Sequence, residues 1–598
     1  MILKSLVDYY EILLERNEIE KEGWIKADVG YAITIDRTGE VKNIVSLADR
    51  TDEAKNVPKK SKANTVQKVV PVHNGRSGKV PPPYFMCDNA KYLLGAWQYL
   101  GKADEDEKNK KQAYNYHKAA ADYHKEILQN SNNALAQSVC NFFDSWDFET
   151  NKERLNVDWG RVLKASNLVF RSYETGGDML NDIEIQNVWD KYCETISDQR
   201  VGRCLVTGNL APIAKLHPVV KGMEGTQPKL VSFNASAFES YGKEQGENAP
   251  ISENAANAYG KALNYMLSQK THFRYIGDIT IVFWAATKEN EVGYMHFMEE
   301  FLGNTEKQEE EKLLYIINAI SQGNYCEYSD LELKPETEFY ILGMAPNNGR
   351  ISVCLFYNNT FKDLVVNVKQ HYDRLSIQGP AYEKKKYPSI HDILNATTRK
   401  QAGYKENTQS MKGIEKSLLN AVLFNRRYPV VLYISILNRI NAEICQSKSA
   451  LNRNRAAMIK AYIMQNFPDK KEVVNTMQLN EETEYIPYLL GRLFAVLEDV
   501  QHISINKETL REHYFNVASR TPALIFPRMM RLANNYLKVL KREKEGLRIT
   551  KEKEINALMD KIHSDIPRQL SVEDQGIFML GYYHQVQKRY EKTNKENN

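Results

Sequence analysis

The chain lacks the long apolar runs, the paired cysteines and the short catalytic signatures that would fix its chemistry at a glance. Over 598 residues with 42% apolar content, no stretch approaches the roughly 18 uncharged apolar residues that a membrane span requires. The N-terminal MILKSLVDYYEILLERNEIE is charged throughout. Its Ile2, Leu3, Leu6, Val7, Tyr10, Leu13 and Leu14 recur at helical spacing, which predicts an amphipathic helix and not a secretory leader. Seven scattered cysteines, an odd number without any CxxC, argue against a disulfide framework or a zinc knuckle and for a reducing, cytoplasmic setting.

Catalytic signatures are missing as well. A phosphate-cradling loop needs GxxxxGK[ST], because its glycines let backbone N–H groups wrap the phosphates. In PVHNGRSGKVPPPY (71–84), Gly78-Lys79 has His73 where the first glycine belongs and Val80 where Ser or Thr belongs. No GxSxG occurs, and His391-Asp392 stands without other clustered metal ligands. A metal-dependent nuclease therefore has one dipeptide in its favour, and the expectation is a protein without catalytic or cofactor sites.

What is present is size, an uneven charge and a change of character along the chain. The length predicts two to four domains. From His391 onward 33 Lys+Arg face 23 Asp+Glu, against 47 and 53 before it. A basic C-terminal third suits a polyanionic partner, although a solvated helical surface has the same composition. GWIKADVGYAITIDRTGEVKNIVSL reads as two strands around Asp36-Arg37-Thr38-Gly39, and residues 49–83 as a long loop or extended excursion. Helices are expected at Ala90–Tyr99 and Glu107–Gln129, followed by a β-rich stretch from Arg200 to Phe283 that a helix at Asn254–Leu267 interrupts. DITIVFWA and RISVCLFY read as buried strands. Beyond Ile390, runs such as YIPYLLGRLFAVLEDVQ and DQGIFMLGYYHQVQKRY repeat apolar residues at i, i+3 and i+4, as an all-α bundle requires. The fold class is α+β: a mixed α/β region with β-rich sheets over 1–389, then a helical bundle over 390–598.

Between Lys59 and Lys91 lie seven cations and one acid, Asp88, with amides and hydroxyls interleaved. Cations suit phosphates, and forked amides suit base edges. This composition fits a loop that reads a DNA groove, and equally a loop charged for solubility.

A resemblance narrows the choice. CLVTGNLAPIAKLHPVVKGMEGTQPKLVSFNASAFESYGKEQGENAPISENAANAYGKALNYML from Cys204, followed by IGDITIVFWA, resembles the large-subunit family of type I-C CRISPR Cascade (Cas8c/Csd1, the Dvulg subtype). So do MILKSLVDYYEIL, PYFMCDNAKYLLG, YILGMAPNNGRISV, RYPVVLYISILNRINAE, NRNRAAMIKAYI, REHYFNVASRTPALIFPRMMRL and LSVEDQGIFMLGYYHQ, so the likeness runs nearly end to end. The resemblance implies a non-catalytic subunit of an RNA-guided surveillance complex for antiviral defence. Such a subunit sits near the crRNA 5′ handle, recognises the short PAM in duplex DNA, helps open the R-loop and recruits the helicase-nuclease. Guide pairing reads the long target while protein reads the PAM, the division of labour known for Cas9.

Carried onto this sequence, the PAM contact falls on the 59–79 excursion. Asn64, Gln67, Asn74 and Ser77 are expected at base edges, and Lys60, Lys62, Lys68, Arg76 and Lys79 on phosphates. Three prolines, Pro81 to Pro83, stand where the family commonly has one. In HPVVKGMEGTQPK, Lys221, Gly225, Thr226, Gln227 and Lys229, with Gly222, form either a second DNA or crRNA-handle contact or a plain connecting turn. In SFNASAFESYG, Phe233, Phe238 and Tyr241 are expected to pack the sheet, with Asn234 and Ser236 satisfying backbone groups. Arg426, Arg427, Arg453, Arg455, Lys460, Arg528 and Arg531 are expected along the DNA backbone or in interhelix ion pairs, Arg453 and Lys460 sharing one helix face.

The implied partners are crRNA, target double-stranded DNA, the Cas5 and Cas7 subunits, the Cas3 helicase-nuclease and anti-CRISPR inhibitors, with no membrane among them. The family's small subunit arises by internal translation of the large-subunit gene. Here Met477 is the best placed start, leaving 122 residues. Lys471-Glu472-Val473 just upstream can be encoded AAG GAG GTN, a ribosome-binding sequence. A scaffold that binds protein alone is the remaining alternative.

Overall fold

The computed structural model describes residues 1–47, 65–73, 76, 81–165, 167–195, 200–225, 227–233, 235–303, 310–328, 331–347, 349–380, 383, 387–398, 413–507, 509–562 and 565–595. The α+β order is as expected: every described strand precedes Phe361, and every described element after Thr360 is helical. Among the described residues no helix is long and apolar enough to cross a membrane.

The chain divides into two compact units, one holding residues 3–218 and 232–262, the other 219–231 and 263–598. In the first, the Ile2–Glu15 helix buries Leu6, Tyr9, Tyr10 and Leu13 on one face. β1 (Trp24–Val29) and β2 (Tyr31–Ile35) part at Gly30 instead of running on as one strand. β3 (Val41–Ser46) returns antiparallel on β2 around Asp36, whose Oδ1 accepts from the Thr38 and Glu40 amides at 2.9 and 3.0 Å. β1 turns away because β4 (Val66–Pro71) claims it, antiparallel from Trp24↔Pro71 to Val29↔Val66. Within the expected loop or extended excursion of 49–83, β4 is a regular strand that the reading did not single out, and its β-branched Val66, Val69 and Val70 supply the strand propensity.

β5 (Cys87–Asp88) and β6 (Leu168–Ser172) complete a sheet of order β3-β2-β6-β5, with β2 and β6 parallel. Its core stacks Phe85 on Trp189, centroids 5.0 Å apart, and sets Phe142 edge-on to Phe170 at 5.2 Å. The second expected helix is present as Ala103–Leu128. The first stops at Leu93, since Gly95 takes φ +63° and turns the chain out of helix. The stretch from Arg200 is less β-rich than expected. β7 (Val201–Arg203) and β8 (Leu210–Pro212) are three residues each, and 3₁₀ turns and the Glu253–Ser268 helix follow. Phe238 and Tyr241 do not pack a sheet: they are 39% and 99% exposed on the irregular connection between these elements.

In the second unit β9 (Phe273–Ile276), β10 (Ile279–Ala285), β13 (Glu338–Asn347) and β14 (Arg350–Thr360) form an antiparallel sheet of order β14-β13-β10-β9, with a small β11 (Cys326–Tyr328)–β12 (Leu331–Leu333) pair nearby in sequence. Every residue of β10 is buried. One apolar core runs without a break from Ile276 through the helices to Tyr583. The last described strand ends at Thr360, and the core continues across residues 389–390.

All the apolar-periodic runs beyond residue 413 are helices. Ile486–Ile505 is the central one, buried from Pro487 to Gln501. It crosses the Val572–Lys595 helix at reciprocal glycines. A Cβ on Gly491 would stand 1.9 Å from the Phe578 carbonyl oxygen, and one on Gly581 2.1 Å from that of Tyr488. Only glycine permits so close an approach of two helical backbones.

Candidate nucleic-acid interface

β1 and β4 make a two-stranded ribbon, an element of the width a DNA major groove admits. Opposite Asp28 on β1 stands Gln67 on β4, and the Gln67 amide donates to the Asp28 carboxylate. Lys68 points to the other face and pairs with Asp178, which also accepts from Arg171 at 3.1 Å. Val66 and Val69 are exposed at 39% and 42%. Of the nine residues predicted on the excursion, Gln67, Lys68 and Arg76 are described; Lys60, Lys62, Asn64, Asn74, Ser77 and Lys79 lie outside the described residues.

Arg76 is the centre of a clamp. Its guanidinium pairs with Asp88, a carboxylate of zero exposure, and its Nε donates to the Pro82 carbonyl at 3.1 Å. The same guanidinium lies 3.7 Å over the Tyr84 ring and 4.0 Å over that of Tyr92. His73 stacks on Tyr84 at 4.0 Å, with its Nε2 3.1 Å from the Cys87 carbonyl, and the Tyr92 hydroxyl donates to the Pro81 carbonyl at 2.9 Å. Asp88 further accepts from the Tyr84 and Asn89 amides at 2.8 and 2.7 Å. Burial raises the Asp88 carboxyl above its ordinary value against the opposing pull of Arg76 and these amides. Burial likewise lowers His73.

Two of these contacts are the strong kind: a charge-assisted hydrogen bond and a guanidinium stacked on aromatic faces. Arg76, expected on a phosphate, is thus spent on holding the chain where it re-enters the sheet at β5. The sequence reading missed Tyr84, Asp88 and Tyr92. The available signal was Asp88, the one acid in a stretch of seven cations.

The second predicted contact lies in the other unit. Val219 bridges Lys229 antiparallel, and Lys229 bridges Arg350 at the start of β14. The Lys221 amide donates to Asn264 Oδ1 at 2.7 Å. Gly222, Gly225 and Gln227 all have positive φ, at +81°, +120° and +51°. Lys221, Gly225 and Gln227 are exposed and Lys229 is half-buried, while Thr226 lies outside the described residues. The loop is a backbone-tied hairpin on the edge of β14 with two lysines.

The helical candidates separate into two groups. Arg455 is 4% exposed, with its Nε on the Ala396 carbonyl at 2.9 Å and Nη1 2.7 Å from both Glu443 and the Ala450 carbonyl. Lys460 is 2% exposed and donates to the Ser376 carbonyl, while Arg453 Nε donates to that of Ile377 at 3.2 Å. Arg453 and Lys460 do share a face, but it turns inward and caps the carbonyl end of the Phe361–Leu375 helix, where partial negative charge collects. Arg455 takes the interhelix ion pair of the two expected roles, with Glu443; Lys460 corrects the expectation, offering no surface to DNA, and the half-buried Arg453 is engaged within the unit. Burial lowers Lys460 to about 8.

Arg426, Arg427, Arg528 and Arg531 are exposed, Arg426 over the Phe424 ring at 5.1 Å and Arg528 over that of Tyr514 at 5.5 Å. The Pro522–Glu543 helix extends the last two. Arg528, Arg531, Asn535, Lys538 and Arg542 follow at three- and four-residue spacing and are all exposed, which lines them up along one face. The sequence reading had found only the first two.

Asp392 of the nuclease dipeptide is occupied by a capping box: it accepts from the Ser389 amide at 2.9 Å and hydroxyl at 2.8 Å. His391 Nδ1 sits 3.1 Å from the Asn395 amide. Among the described residues no three His, Cys, Asp or Glu are placed to hold a metal ion.

A family model described as CRISPR-associated protein (Cas_Csd1) matches residues 6–590. No curated protein matches the chain.

Proposed function

The chain belongs to the CRISPR-associated Csd1 family, and from that premise we propose that it is the non-catalytic large subunit of a type I-C Cascade, recognising PAM and holding duplex DNA for unwinding. The observation that carries the reading is the family match over nearly the whole chain, joined to a basic, amide-rich stretch whose described residues are tied to the first unit. β1–β4 supports it on one side and the Arg76–Asp88 clamp on the other. In this reading Arg76 is a positioning residue. Asn64, Gln67, Asn74 and Ser77 read base edges, and Lys60, Lys62 and Lys79 hold phosphates, while Lys68, paired with Asp178 on the other face of the ribbon, positions β4. The Lys221–Lys229 hairpin is a second contact to DNA or the crRNA handle.

The exposed face of the Pro522–Glu543 helix follows a nucleic-acid backbone, with Arg426 and Arg427 as further contacts. The partners are crRNA, Cas5, Cas7, a small subunit and the Cas3 helicase-nuclease, in the cytoplasm. Met477 is 58% exposed in the connection between the Lys471–Val474 and Ile486–Ile505 helices, directly ahead of the closing bundle. That position favours an internal start there, and the codons of Lys471–Val473 test it: AAA GAA GTN would remove the motive. The function itself is tested by the preference of the assembled complex for one flanking sequence over others. Cleavage of DNA by the purified protein with Mg²⁺ or Mn²⁺, abolished by His391→Ala, would replace this reading with a nuclease.

A further inference from the structure

A polar cavity of about 220 Å³ opens in the second unit, lined by Gln378, Gln478, Glu481, His584, Gln587 and Lys588 among others. His584 is 1% exposed. The Tyr488 hydroxyl accepts from the Asn480 amide at 3.0 Å and stands 2.8 Å from His584 Nδ1, so its own proton goes to that nitrogen. Burial, with the nearby charge of Lys460, lowers His584 to about 3, so the ring is neutral at pH 7. A neutral imidazole accepting at Nδ1 bears its proton on Nε2. That N–H is buried and meets no hydrogen-bond partner among the described residues. Buried donors are almost always paired, and a lone one beside a cavity points to an acceptor that occupies it.

The surroundings specify the acceptor. Lys460 stands close enough to His584 to act on its charge and spends one N–H on the Ser376 carbonyl. Gln378, Gln478 and Gln587 bring amides to the wall. Lys588 lies at the exposed mouth, paired with Glu481, and Lys561 donates to the Glu481 carbonyl. Arg492 reaches the Asn480 carbonyl at 3.2 Å. Three cations, Lys588, Arg492 and Lys561, thus act on the Glu481 carboxylate, and the deepest group is a donor. We propose that this cavity binds a phosphoryl group, with His584 Nε2–H and Lys588 as its principal donors and the glutamine amides around them. The volume holds a phosphate with part of an attached sugar, so the source is either a phosphodiester of nucleic acid or a free phosphate monoester. The inference does not rest on the PAM reading, because it is measured without guide or target.

The test is calorimetric titration of the full-length protein at constant ionic strength with inorganic phosphate and, separately, with a short oligothymidine. Saturable phosphate binding is expected, lost in His584→Phe and weakened roughly tenfold or more in Lys588→Ala, as removal of a charge-assisted bond predicts. Loss of oligothymidine affinity in the same variants assigns the site to a nucleic-acid phosphate; unchanged oligothymidine affinity assigns it to a free phosphate. Lys588→Ala and Gln587→Ala alter only the rim and decide the matter if the His584 variant does not fold. Absence of saturable phosphate binding in the wild type, or wild-type affinity in both rim variants, overturns the proposal.

Discussion

Arg76 and Asp88 form an ion pair across twelve residues in which the carboxylate has no solvent exposure and the guanidinium is stacked on Tyr84 and Tyr92. Breaking one side of a buried pair costs about 3–5 kcal/mol, since it strands the other charge. Arg76→Ala is therefore expected to lower unfolding stability by an amount in that range. Arg76→Lys should recover little of it, because an ammonium lacks the planar fork that stacks and bonds together. Asp88 already has a raised carboxyl pKa. Without Arg76 it can shed its charge by taking a proton, so the deficit relative to wild type should shrink as the pH falls toward that raised value and grow as it rises. Chemical denaturation at several pH values checks both points. A variant as stable as wild type would return Arg76 to the role of a free phosphate anchor.

The excursion carries a prediction that separates phosphate contacts from base contacts. In the assembled complex, Lys60→Ala with Lys62→Ala should weaken binding to every duplex alike and flatten the salt dependence by roughly one unit of slope per lost phosphate contact. Gln67→Ala or Asn74→Ala should leave that slope unchanged and relax the flanking-sequence preference. Filter binding across a salt series distinguishes these outcomes, and a scaffold that binds only protein would respond to neither change.

Much of this was legible in the sequence, for reasons that also mark where legibility ends. YIPYLLGRLFAVLEDVQ and DQGIFMLGYYHQVQKRY declare helices because a 3.6-residue period survives any packing arrangement. β4 stayed hidden because VQKVVP is short and flanked by lysines, glycines and prolines, and its partner β1 lies some forty residues away. Lys460 and Arg455 read as surface cations, yet Ala456, Ala457, Ile459 and Ile463 surround them with apolar residues on every side of the turn. A helix apolar all round is buried, and a cation inside it must find carbonyls or a carboxylate. The clamp was invisible for a different reason: a pairing between Arg76 and Asp88 leaves no periodic trace, only the oddity of one acid among cations.

The two groups of helical arginines should behave differently. Arg455→Ala removes a side chain bonded to Glu443 and to two carbonyls in the interior, and is expected to cost about 3–5 kcal/mol of stability. Arg528→Ala with Arg531→Ala is expected to change stability by less than about 0.5 kcal/mol. The same double variant should lower nucleic-acid affinity and the steepness of its salt dependence. Thermal melts read alongside single-strand binding of the complex check this division.

Acid should destabilise the protein well before its carboxylates titrate. Burial holds His124 at about 4 and His371 and His584 at about 3, all below the ordinary histidine value. A group lowered on folding contributes stability that is complete above its unfolded value, about 6.5, and is lost progressively as the pH falls from there to the folded one. Each histidine then costs up to about 1.4 kcal/mol per pH unit below 6.5. Denaturation midpoints at pH 7 and pH 5.5 should differ accordingly, and coincident midpoints would mean that these rings are not held neutral.

The central claim is that this subunit reads a short duplex motif beside the target. The most direct measurement is binding of the assembled complex, at one salt concentration, to a library of duplexes that share the guide-matched target and are randomised in the flanking positions. The account predicts strong enrichment of a few flanking sequences, relaxed by Gln67→Ala or Asn74→Ala. Equal recovery of all flanks by the wild-type complex would contradict it.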